Sequence, residues 1–142
     1  MYRNILFATD FSPEAAIAEK KAAEVAELNS ASLSVIHVTE NFTNLMLEDS
    51  MSMKIDIEKM LIEDTQRQMA SCSARIPLKL KTTHICSGSP KRAICNFAEN
   101  IDADLIVIGS HGRHGLELLL GSTANGVLHA AKCDVLAIRV KH

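Results

Sequence analysis

Two short stretches of the 142-residue chain hold the residue types able to grip a small ligand. One is Ala8-Thr9-Asp10-Phe11-Ser12. The other is Gly109-Ser110-His111-Gly112-Arg113-His114-Gly115, running on to Gly121-Ser122-Thr123. Four of the six glycines fall between 109 and 121. Such crowding directly after an apolar run marks a loop that needs φ > 0, or a backbone that comes close to a ligand. Gly121-Ser122-Thr123 precedes a helical pattern, where free amides and the positive end of the dipole attract phosphate. Ser122 can cap that helix without ligand and donate to a phosphate with it. Arg113 adds a fixed positive charge. The spacing is neither GxGxxG nor a Walker P-loop, so a phosphate cradle and a plain tight turn fit it about equally.

Asp10 also has two roles open to it. It can brace the Ser12-Pro13 turn, or it can hold a ribose hydroxyl or a phosphate-bound Mg²⁺. His111 and His114 are too poor in neighbouring ligands to make a metal site. No nucleophile elbow occurs, nor a Ser or Cys with an evident base beside it, so the residues do not support an enzyme. Cys72, Cys86, Cys95 and Cys133 show no CxxC or zinc spacing and read as small, mostly buried hydrophobes.

Positioning these groups falls to a regular alternation of apolar runs and helical patterns. Strands are expected at Ile5–Ala8, Leu33–Val38, Leu78–Ile85, Asp104–Ile108 and Val135–Val140. The third alternates like a half-exposed edge, and the fourth is apolar enough to be covered on both faces. A first helix starts at Ser12-Pro13-Glu14 and stops at Asn29-Ser30, with Ala15, Ala18, Ala22, Val25 and Ala26 inward and Glu19, Lys20, Lys21, Glu24 and Glu27 outward. A second spans roughly 57 to 71, with Ile57, Leu61 and Ile62 as a weak stripe. A third opens at Ser89-Pro90 and turns Ile94, Phe97, Ala98 and Ile101 inward. The last begins at Ser122-Thr123 and buries Ala124, Val127, Leu128 and Ala131. Between strand two and helix two lies a long connection, residues 40–56, carrying Met46, Met51 and Met53. Its length suits a functional or mobile segment, and its methionines serve either as a pliable surface or as gap filler.

This β-α-β-α-β-α-β-α-β order predicts one α/β domain over 1–142, a Rossmann-like doubly wound parallel sheet. Its ligand crevice then lies beyond the carboxyl ends of strands one and four. A hydrophobic content of 47%, with 4% aromatics and no Trp, suits an Ile/Leu/Val sheet under Ala-rich helices. The net charge of −2 argues against nucleic acid or anionic lipid as a partner. No apolar run matches a membrane span, and Met1–Phe7 enters a strand without signal-peptide features, so a cytoplasmic location is expected.

At Ile5–Ser12, Val35–Val38, Gly88-Ser89-Pro90, Asp104–Gly112, Gly121-Ser122-Thr123 and Cys133–Val140 the chain resembles the universal stress protein family over its full length. The resemblance implies strand order 3-2-1-4-5 and a stress-response homodimer paired through the last strand, Val135 to Val140. It also implies an adenine-nucleotide site (ATP or AMP, with Mg²⁺ at Asp10) in those members that bind one. Carried over, Asp10 and Val38 face adenine and ribose. Gly109, His111, Gly112, Gly121, Ser122 and Thr123 surround ribose and phosphates, and Ala8, Thr9 and Ile108 complete the strand ends. One departure stands out. Only eight residues, Arg113 to Leu120, separate Gly112 from Gly121, where nucleotide-binding members have nine. A residue spans up to about 3.3–3.6 Å, enough to re-route the loop. The stretch His37–Leu45 also looks like the subgroup regarded as not binding ATP. The expectation is an adenine-nucleotide-binding stress protein, with a nucleotide-free UspA-type protein-interaction module as the alternative. A hydrolase or transferase rests on fold analogy alone.

Overall fold

The computed structural model describes residues 1–39, 51–110 and 121–139. Five strands and four helices alternate: β1 (Asn4–Ala8), α1 (Ala15–Asn29), β2 (Ser32–Thr39), α2 (Met51–Arg75), β3 (Thr82–Ser87), α3 (Pro90–Asn100), β4 (Leu105–Gly109), α4 (Ser122–Ala130) and β5 (Asp134–Ile138). The sheet is parallel throughout, in the order β3-β2-β1-β4-β5.

Side chains alternate across the two faces of a strand, and both faces are covered. Ile5, Phe7, Leu33, Val35, Leu105 and Val107 pack with Ala18, Ala22, Ala23 and Ala26 of α1 and with Met69 and Cys72 of α2. Leu6, Ala8, Ile36, Ile106 and Ile108 pack with Ile94 and Ala98 of α3 and with Ala124 and Val127 of α4. The Ala face brings α1 close to the sheet centre, while Gly126 lets the stem of Lys91 lie across α4, where a Cβ would come within 2.7 Å of Lys91 Cδ.

Four expectations need correction. Strand β3 begins at Thr82, not Leu78: Leu78 and Leu80 are half-buried in the approach to the sheet, and the pairing register starts at Ser34 with Thr82. Helix α2 is longer than 57–71, so the connection before it shortens to 40–50, which lies outside the described residues. Its inward residues are Thr65, Met69 and Cys72, whereas Ile57, Leu61 and Ile62 are exposed. Leu128 of α4 is exposed too, lying about 100° around the helix from buried Val127.

The fourth is Glu19, which is 7% exposed rather than outward. It lies one helical turn from Ala15 and Ala22, on the apolar face. Arg75 at the end of α2 grips it through Nε and Nη2 at 3.0 and 2.9 Å, and the Cys72 thiol donates to Oε2 at 3.4 Å. A buried carboxylate is tolerable only with such partners. Burial, with Glu19 beside it, pushes the Cys72 thiol up to about 12. Burial also raises Cys86, Cys95 and Cys133, which fits thiols that serve as packing.

Candidate functional site

The crossovers through α1 and α2 cover one face and those through α3 and α4 the other, so the winding reverses between β1 and β4. A crevice opens beyond their carboxyl ends. Ala8 pairs with Ile108, so Thr9-Asp10 and Gly109-Ser110 leave the sheet side by side.

Three side chains hold the turn after β1. Thr9 Oγ1 accepts from the Phe11 amide at 3.0 Å, Asp10 Oδ1 from the Ser12 amide at 2.9 Å, and Ser12 Oγ from the Ala15 amide at 3.1 Å. The turn-bracing role of Asp10 is therefore observed. Ser12 satisfies an amide at the start of α1, although the helix itself begins at Ala15. This bracing fixes Phe11 at φ 60°, a conformation that costs a non-glycine residue about 1–3 kcal/mol.

The sequence did not single out His37, yet it shapes the crevice. Its ring stacks on Phe11 with centroids 4.2 Å apart. Its Nδ1 lies 2.8 Å from the Thr9 carbonyl; because a carbonyl only accepts, Nδ1 carries a proton. The available signal was an aromatic polar residue at the end of a strand, opposite the tight turn at Asp10. Val38 follows it, half-buried.

On the other side, the Ser110 amide donates to Ile138 at 2.8 Å, extending the β4–β5 ladder. The Ser110 carbonyl accepts from the Gly121 amide. This clasp brings the start of α4 back to the end of β4. Gly121 is the N-cap residue, and no side chain caps the helix. Ser122 is the first helical residue and does not cap. The first-turn amides, those of Ser122 and Thr123 among them, are thus available for an anion. Ser110 is 3% exposed, and its Oγ has no hydrogen-bond partner.

Neither Gly109 nor Gly121 has positive φ. A Cβ on Gly109 would meet only Ala18 Cβ, at an ordinary 3.9 Å. The structure therefore brings together Ala8, Thr9, Asp10, Val38, Ile108, Gly109, Gly121, Ser122 and Thr123 at the carboxyl end of the sheet. His111, Gly112, Arg113, His114 and Gly115 lie outside the described residues. Among the described residues no three His, Cys, Asp or Glu side chains cluster as metal ligands. No helix among them is long and apolar enough to cross a membrane. A separate cavity of about 330 Å³, lined in part by Cys95, Ile106 and Cys133, lies at the opposite end of the sheet.

Fold and site together define a doubly wound α/β protein with a switch-point crevice. Residues 1–139 match the model of the Universal stress protein family. Universal stress protein A homolog 2 of Coxiella burnetii is 38% identical over 141 residues, covering 99% of this chain and 97% of that protein. The structure of the hypothetical protein MJ0577 superposes with TM-score 0.82 at 28% identity, covering 100% of this chain and 99% of that one. A universal stress protein solved in complex with cAMP has TM-score 0.62 at 23% identity over 99% and 98% of the two chains, a likeness of fold. The chain belongs to the universal stress protein family.

Proposed function

We propose that the crevice binds an adenine nucleotide, with base and ribose against Asp10 and Val38 and phosphates on the α4 amides, in a one-domain cytoplasmic stress-response protein. The observation that carries this reading is the uncapped start of α4, clasped to Ser110 beside the braced Asp10 turn. Because the Gly121 amide bonds to Ser110, the place of Gly121-Ser122-Thr123 depends on the end of β4. The cAMP complex of a protein of this fold is consistent with the same ligand class. Mg²⁺ would enter with the phosphates, and Asp10 is the carboxylate at this end of β1. The role is regulatory rather than catalytic. The Cys72–Glu19 contact, which pairs a thiol with a carboxylate, is buried under α1 and α2 with its thiol held protonated.

The same proposal makes the protein a homodimer through β5, whose Val135–Ile138 are only half-buried at the outer edge of the sheet. Val140, the end of the expected pairing strand, lies outside the described residues.

Mass spectrometry of the supernatant from heat-denatured purified protein tests the ligand. ATP or AMP is expected there, and added nucleotide at about 100 times Kd stabilises the fold by about 2.7 kcal/mol. No released nucleotide, together with no thermal shift at saturating ATP or AMP, returns the protein to the nucleotide-free interaction module.

A further inference from the structure

Helix α2 carries one seam whose surroundings change half-way along. Thr65, Met69, Cys72 and Ile76 follow one another at intervals of four, three and four, and all are buried. Ile76 stands just past the helix end, its amide still bonded to the Cys72 carbonyl at 3.2 Å. Backward from Thr65 the same alternation of three and four reaches Ile62, Glu58 and Ile55. Alternating intervals of three and four keep side chains on one line of a helix, the line along which helices pack. Yet Ile62 and Ile55 are 59% and 56% exposed, and Glu58 between them is exposed too. The covered part ends at Thr65, whose hydroxyl is satisfied within the helix by donating to the Leu61 carbonyl at 2.8 Å. Beyond it a packing seam continues as an open apolar stripe, and neighbouring exposed apolar side chains of this kind mark an interaction surface.

Charge selects the occupant. A second copy joined through this seam sets Glu58 against Glu58 when the helices run parallel, and against Ile55 or Ile62 when they run antiparallel. Neither arrangement offers a counter-charge within the seam. Segment 40–50 of this chain contains Glu40, Glu48 and Asp49 and no Lys or Arg, so it has nothing to pair with Glu58 either. A helix that carries a base inside its own apolar stripe meets both demands, because like charges across an interface are costly and opposite ones fix its register. We propose that the Ile55–Ile62 stretch of α2 is a docking surface for an amphipathic helix of another protein, one with a single lysine or arginine set in its apolar stripe opposite Glu58. Ile55 and Ile62 supply the apolar contact on either side of that pair. The open stretch is only about two turns long, so the complex is small and readily reversed. The proposal is independent of what the crevice holds.

The test titrates the full chain with two fluorescent peptides and reads anisotropy. Both peptides are lactam-bridged, because short helices are marginal in water, and both carry leucines at alternating intervals of three and four. At the central seam position one has lysine and the other glutamate. The lysine peptide should bind the wild type at least about tenfold more tightly than the glutamate peptide. Glu58→Lys should reverse that order. Ile62→Gln should weaken the lysine peptide at least about tenfold and leave the melting temperature unchanged, since it alters an exposed side chain. No binding of the lysine peptide at about 1 mM, equal binding of the two peptides, or indifference to Ile62→Gln overturns the proposal. A lowered melting temperature in Ile62→Gln shows that the chain covers its own seam, and a smaller oligomer of that variant in sedimentation equilibrium shows a second copy there. Either result also overturns it.

Discussion

Gly109 allows packing and the proposed binding to be tested separately at one residue. Its backbone is accessible to any residue, and a Cβ there makes an ordinary contact with Ala18. Gly109→Ala should therefore leave the melting temperature of the empty protein nearly unchanged. If ligand backs onto this strand end, the same substitution weakens nucleotide binding severalfold, as titration calorimetry would show. Gly88 is the opposite case: at φ 127° it should lose about 1–2 kcal/mol of stability on substitution by Ala, with binding affected only through folding. Glu19 shows how a residue can be misplaced by its type. Its position relative to Ala15 and Ala22 put it on the buried face, but its charge argued for solvent, and the Arg75 that reconciles the two lies 56 residues away. The side chain of Arg75 is about half exposed. Arg75→Met should therefore cost about 1–3 kcal/mol in urea denaturation, less than breaking a fully buried pair. Asp10 was picked out as a candidate by its place after strand one, but its bracing of the turn and any ligand contact draw on the same carboxylate, so spacing could not rank them.

Among the elements, α4 is where stability and binding can be set against each other. Gly121→Asp supplies the missing side-chain cap and should stabilise the empty protein by a few tenths of a kcal/mol. The same carboxylate occupies the anion position, so nucleotide affinity should fall at least tenfold. Paired denaturation and binding measurements on this variant check both signs. Strong periodicity made the buried elements legible: β1, β2, β4 and the inward faces of α1 and α3 were read within a residue or two, with Glu19 the exception. Weak periodicity did not. Helix α2 has 25 residues, about 37 Å of helix, against six residues in β3, about 20 Å of strand. Its first half carries exposed Ile57, Met60 and Ile62, which follow no core-facing rule. The alternation of Leu78 to Lys81 belongs to a connection that touches the core at Leu78 and Leu80 and reaches the sheet only at its end, where the Lys81 amide donates to the Leu33 carbonyl.

The strand order of the whole molecule was not in the periodicity at all. Alternating patterns predict a parallel sheet, but 3-2-1-4-5 came from the family resemblance, because pairing between β1 and β4 joins segments about a hundred residues apart. The loop between β4 and α4 was expected to carry half the site, and much of it falls outside the described residues. One global property does follow from the core. Four thiols are held above their ordinary range by burial. The folded state therefore keeps protons that the unfolded chain loses above about pH 9, and stability falls as pH rises from there toward the folded-state value of Cys72. Below about pH 9 this contribution is fully present. Denaturant unfolding at about pH 8 and about pH 10 should show the wild type losing about 1 kcal/mol more than Cys72→Ala over that interval.

The bond between Ser110 and Gly121 also bears on how this fold can vary. It ties two residues eleven positions apart, so a segment of any length between them is closed by the same contact. Doubling such a segment costs only about 0.6 kcal/mol in closure entropy. Related chains can therefore gain, lose or exchange residues there while the helix behind it stays in place.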